Sequence, residues 1–229
     1  MGCWEPKTAL MSRIAFSKIS IIFIALCLME CSGKAEKKNL PYYNSADFSP
    51  LFLTSSKEIN EKVRHTIPTF SFTDQNGQKI TDKDIEGKIH IANFIFTSCI
   101  SICPVMTRHL KLIQKRFGDN PDVLILSFSV TPWVDNVTRL QQFASQNQIT
   151  SPNWHLLTGN TGKIYELARK SYFAEEDLGF TKDSTQFLHT EHIILVDKLK
   201  RIRGIYNGTL ELEVQQLSAD IGRLLKENL

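Results

Sequence analysis

Charge of one sign is scarce in surplus: 27 lysines and arginines face 24 aspartates and glutamates, for a net charge of +3. Part of that excess sits near the N-terminus, and the remainder is too small to form a footprint for nucleic acid. Apolar runs are short. The run Ile19–Met29 covers eleven residues, against the ~20 that a membrane-spanning helix needs. Internal repeats and low-complexity tracts are absent, and no proline follows Pro152. Cysteine is sparse and unevenly placed. Of five, Cys3, Cys27 and Cys31 lie in the first 31 positions, and the rest of the chain keeps only Cys99 and Cys103. A disulfide framework is therefore excluded, and the two remaining thiols have only each other.

The N-terminal pattern is that of an export segment. Arg13 and Lys18 precede the Ile19–Met29 run, whose length suits the core of a signal peptide. Met11 is an alternative start, because the basic region begins directly after it. Cys31 and the following Ser32-Gly33-Lys34 resemble a bacterial lipoprotein site, although Glu30 is not the small residue usual before such a cysteine. An uncleaved anchor and a soluble exported form are the other readings. All three put residues 1–31 to work in targeting and the rest outside the cytoplasm. In that oxidising setting Cys99 and Cys103 are expected to form a disulfide unless a reductant or a metal protects them.

The chemistry concentrates in Phe94-Ile95-Phe96-Thr97-Ser98-Cys99-Ile100-Ser101-Ile102-Cys103-Pro104. Ile89, Ile91, Ala92, Phe94, Ile95 and Phe96 make a nearly continuous apolar run, as in a strand covered on both faces. Thr97 and Ser98 leave it. Pro104 suits an early helical position, and Val105, Met106, Leu110, Ile113 and Phe117 continue at helical spacing. With the turn helical through Ser101, the thiols four positions apart share one side of the helix. A helix N-terminus favours thiolate over thiol. Thiolates are soft ligands, suited to Cu(I) and to zinc. Two of them leave a coordination sphere incomplete, so a metal reading needs a third ligand. A simple redox pair and two buried packing residues are the competing readings.

Residues 32–64 are polar, broken by Pro41 and Pro50, and expected to be a tether, packed in part through Tyr42, Tyr43, Phe48, Leu51 and Phe52. The compact domain is expected to span 65–229. Ile67–Phe72 alternates like a strand, Asp74-Gln75-Asn76-Gly77 signals a hairpin turn, and Lys79–Thr81 returns. After the cysteine helix, Val123–Val130 predicts a second buried strand, Asp135–Gln146 a helix, Trp154–Leu157 a short strand and Gly162–Tyr172 a helix. A polar loop follows over Phe173–Leu188. His189–Val196 and Arg201–Ile205 predict a hairpin, and Leu210–Leu225 a final amphipathic helix. Alternating strands and helices closed by a hairpin suggest an α/β fold: a thioredoxin-like layer with a central mixed sheet flanked by helices, preceded by a β-hairpin.

Six histidines compete for the third-ligand role. His65 lies at the tether, His90 in the central strand far from Cys99, and His109 on the cysteine helix but on another face. His189 and His192 start a strand expected beside the central one. Three positions apart, they point to opposite faces, so only one should meet the thiols.

From about Ile67 onward the chain resembles the SCO/SenC copper chaperones, which assist assembly of cytochrome c oxidase. The resemblance is carried by Phe96-Thr97-Ser98-Cys99-x3-Cys103-Pro104, Ser129-Val130-Thr131-Pro132-x2-Asp135, Leu157-Thr158-Gly159 and His189-x5-Leu195-Val196-Asp197. It implies a thioredoxin-like fold in which two cysteines and one histidine bind copper, as Cu(I) and also Cu(II). The family's histidine stands six residues before a Leu-Val or Leu-Ile pair, which His189 satisfies and His192 does not. The implied ligands are Cys99, Cys103 and His189. Departures exist: Ile100-Ser101-Ile102 is neutral where the family often carries an acid, Thr131 replaces the first Asp of Asp-Pro-x2-Asp, and Lys200 lies near the place of the usual turn glycine. Ordinary thiol oxidoreductases face a Cys-x2-Cys pair with a cis-proline, whereas this chain has a Cys-x3-Cys pair and a histidine there. The leading reading is a monomeric copper metallochaperone, tethered to the membrane, that delivers copper to an oxidase subunit and draws on a copper donor or thiol reductant. The alternative is an extracytoplasmic thiol-disulfide reductase acting on that subunit's cysteines, with Cys99 attacking and Cys103 resolving.

Overall fold

A computed structural model of the chain describes residues 1–2, 39–174 and 190–227. The export segment with Cys31, the polar loop from 175 onward and His189 lie outside the described residues.

The main sheet has five strands in the order β5-β4-β3-β6-β7. These are β3 (Ile89–Ile95), β4 (Val123–Ser129), β5 (Trp154–Leu157), β6 (His192–Val196) and β7 (Ile202–Asn207). β3, β4 and β5 run parallel, and β6 and β7 are antiparallel additions on the other side of β3. β3 and β4 are buried at every position, which is why both appear in the sequence as unbroken apolar runs.

Side-chain alternation sends the two faces of β3 into different layers. Ile89, Ile91 and Ile95 pack with Met106, Leu110 and Ile113 of α2 (Ile102–Phe117), Leu140 of α3 (Val137–Gln146) and Leu217 of α5 (Glu211–Leu224). Ala92 and Phe94 pack on the other face with Phe72, Ile80, Ile164 and Tyr172. That second layer holds the hairpin of β1 (Ser71–Thr73) and β2 (Lys79–Thr81), and helix α4 (Thr161–Glu166). The mixed sheet, flanking helices and early hairpin make the thioredoxin-like α/β fold expected from the sequence.

Several boundaries moved for local reasons. Of the Ile67–Phe72 run only Ser71 and Phe72 are strand, which continues to Thr73; Pro68, near the start of the run, has no N–H to offer a ladder. Helix α3 starts at Val137 because Asn136 caps it, its side chain accepting from Arg139 N at 2.9 Å. The helix expected to reach Tyr172 leaves α-geometry after Glu166 and finishes as a π-helical turn, Leu167–Ser171. Strand β6 begins at His192, with residues 190 and 191 outside it.

Residues 39–64, expected as a tether, carry helix α1 (Ser56–Lys62) and bury Leu40, Tyr42 and Leu53. Tyr42 pairs with Leu51 and Tyr43 with Ile202. Arg203, 1 % exposed, donates to the carbonyls of Pro41 and Leu40 at 3.1 and 3.0 Å, and its guanidinium lies 4.0 Å from the Tyr42 ring centroid.

Candidate metal centre

The site forms where β3 ends. Past Ile95 the chain turns, Cys99 N donates to Phe96 O at 3.1 Å, and α2 begins at Ile102. Cys99 therefore lies outside the helix, contrary to the expectation that both thiols share a helical side. The thiols are neighbours for a different reason. Ser101, at the N-cap position, makes no side-chain cap. Instead the Cys103 N–H donates to Cys99 Sγ at 3.4 Å. The sulfur of Cys99 takes the place of a capping oxygen, satisfying a donor that a helix start leaves free.

Both cysteines are free thiols and both are buried. Their acidities diverge. Burial works against ionising Cys99, but hydrogen bonds from the backbone of Cys103, Ser101 and Ile102, and from the Cys103 thiol, outweigh it, and the net shift is downward. Burial dominates at Cys103 and pushes it up to about 12, with the neighbouring Cys99 and the Asp135 carboxylate adding to the effect against a weaker backbone hydrogen bond from Phe96. Cys99 is thus the readier nucleophile and ligand, and a metal must displace the proton that Cys103 retains.

The structure brings Asp135, the last residue of the Ser129-Val130-Thr131-Pro132-x2-Asp135 motif, to this site. It is fully buried. Its Oδ2 accepts from Thr97 N at 3.2 Å, Ser129 Oγ at 2.7 Å and Thr131 Oγ1 at 3.0 Å, while Oδ1 accepts from Thr97 Oγ1 at 2.5 Å. Arg139 donates through Nε to Thr97 Oγ1 at 2.6 Å and through Nη2 to Ser98 Oγ at 3.1 Å. The Ser-x-Thr-Pro-x2-Asp run was the available signal, but nothing in it names Thr97 as the partner.

Four histidines have structural partners. His65 Nε2 lies 2.7 Å from Ser171 O, His90 Nε2 3.0 Å from Tyr172 Oη, His109 Nδ1 2.9 Å from Gly208 O, and His155 Nδ1 3.1 Å from Asp74 Oδ2. His192 shares its strand face with Ile194 and Val196, which belong to the layer opposite the thiols, and its ring stands edge-on to Phe48 at 5.6 Å. Ile193 and Leu195 face the layer that contains Cys99 and Cys103. Among the described residues no group of three or more His, Cys, Asp or Glu side chains is arranged to hold a metal ion, so these residues supply two sulfur donors and no third ligand.

Residues 59–226 match the sequence profile of the family described as SCO1/SenC. The fold is similar to that of a SCO1/SenC family lipoprotein from Bacillus anthracis, with a TM-score of 0.62 and 29% identity over 71% of this chain and 96% of that one. It is also similar to BsSco, a Sco family cytochrome c oxidase assembly protein with a disulfide switch: TM-score 0.61, 30% identity, 72% of this chain and 96% of that one. A third similar structure is ScoI of Bradyrhizobium japonicum with copper bound, with a TM-score of 0.55 and 26% identity over 70% of this chain and 99% of that one.

Proposed function

Because the chain belongs to the SCO1/SenC family, we propose that it is a copper metallochaperone that delivers copper to a respiratory oxidase through Cys99, Cys103 and His189. The observation that carries this reading is the pair of thiols at one helix start, joined by the Cys103 N–H to Cys99 Sγ contact. Two soft sulfurs suit Cu(I), and a neutral imidazole nitrogen suits Cu(II) better than sulfur alone. His192 faces the other layer, which leaves His189 as the candidate that fits both the motif spacing and the need for a nitrogen donor. Ile100, between the thiols, is 96% exposed, so the site lies at a surface that an acceptor domain can approach. The domain is tethered on the extracytoplasmic side of the membrane by the N-terminal segment, through Cys31 or through an uncleaved anchor, and its partners are an oxidase subunit and a copper donor or reductant.

The test is copper titration of the full-length, reduced protein recovered from the membrane fraction, following the thiolate-to-copper absorption band. Cys99→Ser and Cys103→Ser are expected to weaken binding of both copper states. His189→Ala is expected to weaken Cu(II) strongly and Cu(I) less, and His192→Ala to change little. Loss of the band in His192→Ala but not in His189→Ala would overturn the third ligand, and a chain found only in the cytoplasm would overturn the location.

A second reading, a thiol-disulfide reductase, is favoured by the split acidity of the two thiols. Reductase activity that survives His189→Ala and vanishes in Cys99→Ser would favour it. Either reading expects the pair to close into a Cys99–Cys103 disulfide on mild oxidation.

A further inference from the structure

We propose that Asp135 is a positioning residue for the two-thiol site: from a separate loop, it fixes the stretch of chain that carries Cys99. This rests on the copper reading. The two sulfurs are held by different means. Cys103 is placed by helix α2. Cys99 sits on a turn, where Thr97 and Ser98 belong to neither strand nor helix and no ladder fixes their course. Ligand sets need their atoms held to about 0.5 Å, so whatever restrains Thr97 and Ser98 sets the distance between the sulfurs.

The restraint comes from across the sheet. Ile95 and Ser129 are paired at the ends of the parallel strands β3 and β4, so the loops that follow these strands emerge side by side. The Asp135 carboxylate joins them. One oxygen takes the Thr97 hydroxyl, and the other takes the Thr97 amide together with the hydroxyls of Ser129 and Thr131. Asp135 is itself anchored by its own N–H, which donates to Thr131 O at 2.9 Å. Arg139 closes the arrangement from solvent, holding Thr97 Oγ1 and Ser98 Oγ and lying 3.7 Å from Asp135 Oδ1. A carboxylate with no exposed surface is costly unless its oxygens are matched by donors, and here both are. An ionised aspartate is acceptor-only. Asparagine at the same place puts an NH2 where one acceptor stood: on the Oδ1 side it leaves the Thr97 hydroxyl proton without its acceptor, and on the Oδ2 side it meets the Thr97 N–H, which cannot accept. Thr97 is the relay, since its hydroxyl donates to Asp135 and accepts from Arg139.

The experiment uses the full-length protein with Asp135→Asn, Thr97→Val and Arg139→Ala, reading the thiolate-to-Cu(II) band, Cu(I) affinity by chelator competition, and thermal stability. Asp135→Asn and Thr97→Val are expected to shift the band and weaken Cu(I) binding tenfold or more, with Arg139→Ala acting in the same direction but less. An unmoved band and unchanged affinity with only a lowered melting temperature would reduce Asp135 to a structural role and overturn the proposal. If Asp135→Asn does not fold, Thr97→Val decides by the same readings. Failure of the parent protein to bind copper would instead overturn the copper reading. The midpoint potential of the Cys99–Cys103 pair in dithiothreitol buffers then decides the positioning: a shift in Thr97→Val supports it, and an unchanged value overturns it.

Discussion

At the scale of single residues, position relative to one helix start and to the core outweighs residue type. Cys99 meets backbone N–H groups and is made more acidic, whereas Cys103, one turn on, meets the core and is made less so. His90 shows the same logic without any role at the site. It is wholly buried, and burial, reinforced by the Lys200 charge, pulls its pKa down to about 3. The unfolded chain takes a proton there near the usual 6.5, while the folded protein refuses it until about 3. Folded His90 is thus depressed, and stability is lost as pH falls through that window, by about 1.4 kcal/mol per pH unit for the one proton. Urea midpoints of His90→Gln are expected to fall less between about pH 7 and about pH 5 than those of the parent. Equal falls would place the acid sensitivity elsewhere.

At the scale of elements, the turn between β6 and β7 carries a cost that its sequence leaves visible. Lys200 adopts a φ of 62°, in the region that glycine enters most easily. Its carbonyl accepts Ile67 N at 2.9 Å, its N–H donates to Asp197 O at 2.9 Å, and its ammonium meets Asp82 Oδ2 at 3.3 Å. The backbone conformation is needed to bring the edge of the hairpin to residue 67. Lys200→Gly is expected to come out stabilising by less than about 1 kcal/mol, as relief of a left-handed strain of about 1–2 kcal/mol is partly offset by the lost ion pair. Lys200→Val is expected to destabilise by about 1 kcal/mol or more, because a β-branched side chain fits that region worst. Equilibrium unfolding in urea checks both, and a stabilised valine variant would contradict the account.

At the scale of the whole molecule, the chain enters the described domain at the end of the sheet away from the thiols. β3 runs toward Cys99, and antiparallel pairing places Val196 opposite His90 at the other end. There Arg203 meets Asp197 at 3.3 Å and Glu227 at 2.8 Å, and grips the carbonyls of Leu40 and Pro41. The clamp ties residues 39–64 into the compact unit that runs from Asn39 onward. Arg203→Ala removes the more distant of two arginines on the buried Asp197, which keeps Arg201 at 2.9 Å, and leaves the carbonyls of Leu40 and Pro41 without their donor. It is expected to cost about 1–3 kcal/mol, as leaving buried acceptors unsatisfied does. Limited proteolysis should then cut first within residues 39–64, and a first cut elsewhere in the domain would show that the clamp does not hold this segment.

By itself the sequence determined what neighbours along the chain decide. The apolar run of β3, the Asp74–Gly77 turn with Gly77 at a φ of 75°, the Cys-x3-Cys-Pro start of α2 and the motifs of the family are local signals, and the fold class follows from their order. The tertiary structure decided what depends on which loops emerge together. It took Cys99 off the helix and made its sulfur a cap. It turned His192 away from the thiols, and it brought Asp135 to Thr97 over a separation of 38 positions and Arg203 to Pro41 over 162. Periodicity reports the face of one element. A hydrogen bond between two loops exists only once the strands beneath them have paired, and the sequence near either loop carries no trace of its partner.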